Sequence, residues 1–329
     1  MNMKKSLITL VLAMAALSIS AQTSALEEIR ANRFICASNY LDYDNYPATE
    51  ALTPAPKGYE MYYLSHYGRH GSRWLLGDGD YTSVINPLRE ANENGKLTAT
   101  GMELLEKLEK FYPCTIGRLG DLTRVGERQH HGIGRRMTEH FPDLFSTKNL
   151  PIDARSTVVI RCILSMTAEC EELTAFNPTA IVHNDVSESL QYYLNEPWRG
   201  KVKENGGKGW DIINEYKEKL THPERLIGVL FNDSDWASEH LKEKSFMRRL
   251  FDVATNMQSH DEYEEILDLF TDEECYDLWK IRNIDWYMHY GAAPMTESVM
   301  PFSQRNLLKN IISTADTVSQ KQATLRFGH

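Results

Sequence analysis

The chain has 329 residues, 42% hydrophobic and 25% charged, with 46 acidic against 36 basic side chains and a net charge of −10. That length supports a full hydrophobic core without a metal or disulfide staple, and the composition is that of an ordinary globular protein rather than a disordered or collagenous one. A negative balance of this size repels nucleic acid, so any anionic ligand has to be held by a local cluster of cations.

The chain opens with Lys4 and Lys5, an apolar run at 7–19 and the small pair Ser20-Ala21. This is the three-part pattern of a secretory leader, and the run is short for a membrane span. Cleavage near Ala21 and export to the periplasm or the medium are expected, with no membrane insertion afterwards. Cys36, Cys114, Cys162, Cys170 and Cys275 match no zinc spacing. They are sparse for a disulfide scaffold, and their odd number leaves at least one thiol unpaired within the chain.

Residues 59–65, "YEMYYLS", read as a buried strand running into the glycine-containing "HYGRHGSR". A strand followed by such a turn is where α/β proteins place ligands. Residues 98–113 have helical spacing and end at a proline, and "LTRVGERQHHGIGRRMTEHFPDLF" reads as a second helix. In "STVVIRCILSMTAECEEL" the β-branched start predicts a strand and the remainder a helix, with Arg161 at the junction. From about 190 to 310 the pattern is helical. The acidic stretch "DEYEEILDLFTDEECYDL" reads as a solvated helix face. Residues 323–327, "ATLRF", alternate as a final strand before Gly328 and His329.

The expected class is α/β. The divisions are a leader at 1–21, the first part of the α/β core at 22–190, a helical insertion at 191–310 and a return strand at 311–329.

The chemistry concentrates at Arg69-His70-Gly71-x-Arg73. Hydrolysis of a phosphate monoester needs a nucleophile, fixed positive charge on the phosphoryl oxygens and an acid for the leaving group. Neutral imidazole serves as the nucleophile, and the planar, permanently charged guanidinium group meets phosphate oxygens in pairs. Gly71 allows a sharp turn beside the ligand, and the turn could also aim N–H groups of a following helix start at the anion. His66 is read as a packing residue or a support for the site residues from behind, and not as a metal ligand. No metal or cofactor is expected. Arg155 is read as a structural ion pair. His130 and His131 lie among Arg118, Arg124, Arg128, Arg135 and Arg136. The first reading there is a helix with exposed charges, and the other is a basic rim for a multiply phosphorylated substrate.

Arg69, His70, Gly71 and Arg73 resemble the RHGxR signature of the histidine phosphatase superfamily, acid phosphatase branch. "SHYGRHGSR" is most similar to the multiple inositol polyphosphate phosphatases, with phytases close by. "STVVIRCILSMTAE" resembles the family's second block, and "TLRFGH" its late strand. The resemblance implies a phosphoglycerate-mutase-like core carrying a helical insertion domain. It also implies His70 as the nucleophile that forms a phosphohistidine, and Arg69, Arg73, Arg161 and His329 as the residues holding the phosphate. In the family an acidic residue follows the second histidine. Its position falls after His329, so the chain is expected to be truncated with the C-terminal part of the core missing.

The function expected is a secreted, metal-free phosphomonoesterase acting on a small-molecule phosphate ester, an inositol polyphosphate such as phytate. The alternatives are a catalytically impaired phosphate-binding remnant lacking its proton donor, or a broad-specificity acid phosphatase. A phosphotransferase of the same superfamily is a weaker reading, because the export signal argues against that intracellular branch.

Overall fold

The computed structural model describes residues 24–42, 53–195 and 200–329. The leader expected at 1–21 lies outside the described residues. The strands are β1 (Tyr63–Arg69), β2 (Pro151–Ser156), β3 (Ile181–Val186) and β4 (Gln322–Gly328). They form one parallel sheet in the order β1-β4-β2-β3. The last strand in sequence therefore lies inside the sheet, between β1 and β2. Buried on both faces, β4 hides Ala323, Leu325 and Phe327 at 1% exposure or less. Each of the two larger side chains contributes about 1.5–3 kcal/mol on leaving water.

Pairing partners, more than local propensity, decide where strands lie. β1 begins four residues later than the aromatic run suggests and continues through His66 to Arg69, because its register with β4 runs from Tyr63↔Gln322 to Arg69↔Gly328. The strand expected at "STVVI" is instead β2, "PIDARS", whose Ile152, Ala154 and Ser156 face inward beside β4. Val158 and Ile160 of the β-branched run are exposed, and the chain there turns into a helix.

The longer helices are α1 (Asp78–Glu93), α2 (Ala99–Phe111), α3 (Arg124–His140), α4 (Ile160–Phe176), α5 (Gly200–Leu220), α6 (Glu243–Asn256), α7 (Asp272–Tyr290) and α8 (Arg305–Ala315). Thr98 and Thr123 cap α2 and α3 by accepting from the N–H groups of Gly101 and Gly126. Helix α4 packs on the sheet through Cys162, Met166 and Leu173. A second apolar core joins α1 and α2 to α6 and the first half of α7. The helical body thus draws on residues before β2 as well as after β3. No helix among the described residues is long and apolar enough to cross a membrane.

The acidic stretch at 261–278 departs from the solvated helix face expected of it. Its first half is irregular, and α7 starts only at Asp272, capped by Thr271. Arginines from distant segments neutralise it: Arg128 on Asp261, Arg33 on Asp268 and Asp272, and Arg225 on Glu274. Arg155 pairs with Asp153.

Candidate active site

The site lies at the carboxyl ends of three neighbouring parallel strands. His70 follows β1, His329 follows β4, and Arg161 follows β2 as the second residue of α4. The imidazole rings of His70 and His329 are 5.7 Å apart, centre to centre. Arg69 and Arg73 line a cavity of about 230 Å³ together with His70, Tyr40, Gln129 and Ser259. His329 meets His70 by that ring contact and the Arg161 charge acts on both rings, while neither residue lines the cavity itself. Arg161 donates from Nη1 to the Gly120 carbonyl (3.2 Å), and its buried Nε has no partner among the described residues.

His70 is 8% exposed. Its Nδ1 lies 2.8 Å from the Gly71 carbonyl, an acceptor, so Nδ1 carries the proton and Nε2 keeps its lone pair. Burial pushes the His70 pKa down to about 2, and the charges of Arg69, Arg161 and Arg73 push in the same direction. His329 is lowered to about 4, first by partial burial and then by the same three arginines. Burial, and behind it the charge of Arg73, also lowers the pKa of Arg69 and Arg161. Three guanidinium groups held this close repel one another, and an anion between them would relieve that repulsion.

The turn is fixed from two helices. Gly71 N–H donates to Ser165 Oγ (3.0 Å), and that hydroxyl donates to the Arg161 carbonyl (2.8 Å). Ser72 N–H donates to Gln129 Oε1 (2.9 Å), His70 N–H to the Gly328 carbonyl (3.2 Å), and Trp74 N–H to the Asp121 carbonyl (3.0 Å). These four N–H groups of the turn itself are already used. Positive charge at the site comes from side chains. The glycines are demanded by the close approach of turn and helix. A Cβ on Gly71 would lie 2.3 Å from the Gly126 carbonyl oxygen, and one on Gly126 would lie 2.2 Å from that of Ser72.

Of the residues singled out in the sequence, His70, Arg69, Arg73, Arg161 and His329 converge here. His66 and His130 lie beneath the turn, buried or nearly so. His131 instead faces Glu172 on α4, with Nδ1 3.1 Å from the carboxylate. Among the described residues, no group of three or more His, Cys, Asp and Glu side chains is arranged to hold a metal ion.

A second cavity, of about 530 Å³, shares Asn39 and Tyr40 with the first. Lys217, Arg248, Arg249 and Arg282 line it, with Asp252 and Asp285 as its acids. The Tyr40 ring stands between the two cavities, with the Arg73 guanidinium 5.8 Å and the Arg282 guanidinium 4.9 Å from its centre. Asn39 ties this partition to the site by accepting from Arg69 Nη1 (3.0 Å). No sequence motif marks the four cations, which come from α5, α6 and α7 and meet only in the fold.

The fold has counterparts among solved structures. The Bifidobacterium longum multiple inositol polyphosphate phosphatase complexed with inositol hexasulfate superposes with a TM-score of 0.66 at 15% identity, covering 86% of this chain and 76% of that one. The same enzyme complexed with phosphate gives 0.65. The fold is that of the multiple inositol polyphosphate phosphatases. A phytase from D. castellii shares it with a TM-score of 0.60 at 18% identity, over 80% of this chain and 58% of the phytase. No protein-family model matches the chain, and no curated protein matches it.

Proposed function

We propose that the chain is an exported phosphomonoesterase of the histidine acid phosphatase type, acting on inositol polyphosphates with His70 as its nucleophile. The observation that carries this reading is the state of His70: a buried, neutral imidazole with Nε2 free, among Arg69, Arg73 and Arg161. In the reaction, Nε2 forms a bond to phosphorus while the ester P–O bond breaks, and the electron pair of that bond leaves with the alcohol oxygen, which takes a proton from solvent water. The guanidinium groups hold the three equatorial oxygens as charge spreads over them. The Gly71 carbonyl accepts from Nδ1–H and steadies the positive charge that develops on the ring. Water then attacks the phosphohistidine, releasing phosphate and regenerating the imidazole. His329, beside His70, is assigned to the phosphoryl oxygens as a fourth contact.

The larger cationic cavity supports a substrate with several phosphates. While one phosphate sits at His70, others of the same ring can reach Lys217, Arg248, Arg249 and Arg282 past the shared Tyr40 wall. The Bifidobacterium longum enzyme named above was solved with inositol hexasulfate and with phosphate, ligands of the chemistry proposed here.

The test is phosphate release from inositol hexakisphosphate and from 4-nitrophenyl phosphate, whose leaving group needs little protonation. Substituting His70→Ala should lower turnover of both by about a thousandfold or more. Turnover that survives the substitution would refute the assignment.

A further inference from the structure

Beneath the catalytic turn lies a carboxylate that the proposed reaction does not use. Arg161, Ser165 and Glu169 follow one another at four-residue spacing and so share a face of α4. Arg161 approaches the site and Ser165 holds the Gly71 N–H. Glu169, completely buried, sits deeper. Its Oε2 is 3.1 Å from His130 Nδ1, and its Oε1 is 3.5 Å from His66 Nε2. The other nitrogen of His130, Nε2, lies 3.1 Å from the Arg69 carbonyl oxygen.

Both ring nitrogens of His130 thus face acceptors, one a carbonyl and the other a carboxylate. Both contacts are hydrogen bonds only if the ring and the carboxyl group share one proton beyond that of a neutral imidazole. The pair is then neutral overall, which makes its burial tolerable. A buried pair of this kind stabilises a fold no better than apolar side chains of the same volume. What it supplies that a leucine could not is a fixed direction for the His130 ring, and the group at the end of that direction is the Arg69–His70 peptide.

We propose that Glu169 is a positioning residue for catalysis, acting through His130 to hold the Arg69 carbonyl and thereby the peptide that carries both the Arg69 guanidinium and the His70 nucleophile. The proposal deepens the phosphatase reading and takes its kinetic readout from it.

The experiment compares Glu169→Gln, Glu169→Met and Glu169→Ala with the wild type and with Leu173→Ala, a fully buried change one turn further along α4. Circular dichroism fixes a temperature at which each variant is folded. The assays are kcat/KM on 4-nitrophenyl phosphate and the inhibition constant of inorganic phosphate. Glutamine can donate its amide to His130 Nδ1, which leaves His130 Nε2–H for the Arg69 carbonyl. E169Q should therefore stay within about threefold of wild type. E169M fills the same space without these bonds. Together with E169A it should lose roughly 10- to 100-fold in kcat/KM and bind phosphate more weakly, while L173A loses thermal stability and little else.

Wild-type-like kinetics in E169M and E169A would overturn the proposal. So would a loss in E169Q equal to that in E169M, or a kinetic loss in L173A as large. Should E169M and E169A both fail to fold, His130→Asn is read by the same criteria. If the wild type releases no phosphate from any ester, the phosphatase reading fails on its own. Positioning is then judged by calorimetric binding of inorganic phosphate, which E169M should weaken about tenfold and which an unchanged affinity would contradict.

Discussion

Lowering the pH from 6.5 to 4 reports on the state of His70 through the stability of the whole chain. In the folded protein its pKa is pushed down to about 2, first by burial and then by Arg69, Arg161 and Arg73, while in the unfolded chain the ring titrates near 6.5. Between those values the unfolded chain binds one proton more than the folded one. The contribution of His70 is therefore complete above pH 6.5 and is lost progressively as the pH falls toward the folded value. At about 1.4 kcal/mol per pH unit, the interval from 6.5 to 4 removes about 3 kcal/mol. Other groups titrate over the same range, so the quantity to measure is a difference of differences. Urea unfolding of wild type and His70→Ala is followed at both pH values, and the wild type should lose about 3 kcal/mol more than the variant. His329, also lowered, is present in both proteins and largely cancels. Equal losses in the two proteins, within about 0.5 kcal/mol, would show that the ring can protonate in the fold and would refute the neutral-nucleophile argument.

Gly71→Ala places a Cβ 2.3 Å from the Gly126 carbonyl oxygen. It should lower stability by about 1–3 kcal/mol in thermal melts and weaken inorganic phosphate binding. Ser165→Ala strands the buried Gly71 N–H, so a loss of about 1–3 kcal/mol should come with a fall in kcat/KM. Lys217→Ala combined with Arg249→Ala should raise KM for inositol hexakisphosphate tenfold or more, since even one charge-assisted contact is worth about 1.5–3 kcal/mol. KM for 4-nitrophenyl phosphate, which has a single phosphate, should not move.

The convergence of Arg69, His70, Arg73, Arg161 and His329 was legible because each lies in a short block whose residue types suit phosphate chemistry. The strand ending at His329 carried its own apolar signal. β2 was misplaced because "STVVI" has stronger strand propensity than "PIDARS", and only the register with β4 decides between them. The same blindness to pairing hid the composition of the helical body. Helix α1, with Pro87 in its interior, gives a weak local signal, and its attachment to α6 is a contact between segments far apart in sequence. Glu169 stood in plain view within a recognised block, yet nothing local says that its carboxyl group meets a histidine from α3. The cations around the second cavity were masked by a negative overall balance, and they become a site only when α5, α6 and α7 come together.

The central claim is that His70 is the group that receives the phosphoryl from substrate. Wild-type protein mixed briefly with excess 4-nitrophenyl phosphate, quenched in alkali to preserve a phosphorus–nitrogen bond and mapped by peptide mass, tests it most directly. A peptide heavier by one phosphoryl group, with the added mass on His70 and absent from the His70→Ala protein, is the predicted result. Steady turnover with no adduct, or an adduct on any other residue, would contradict it.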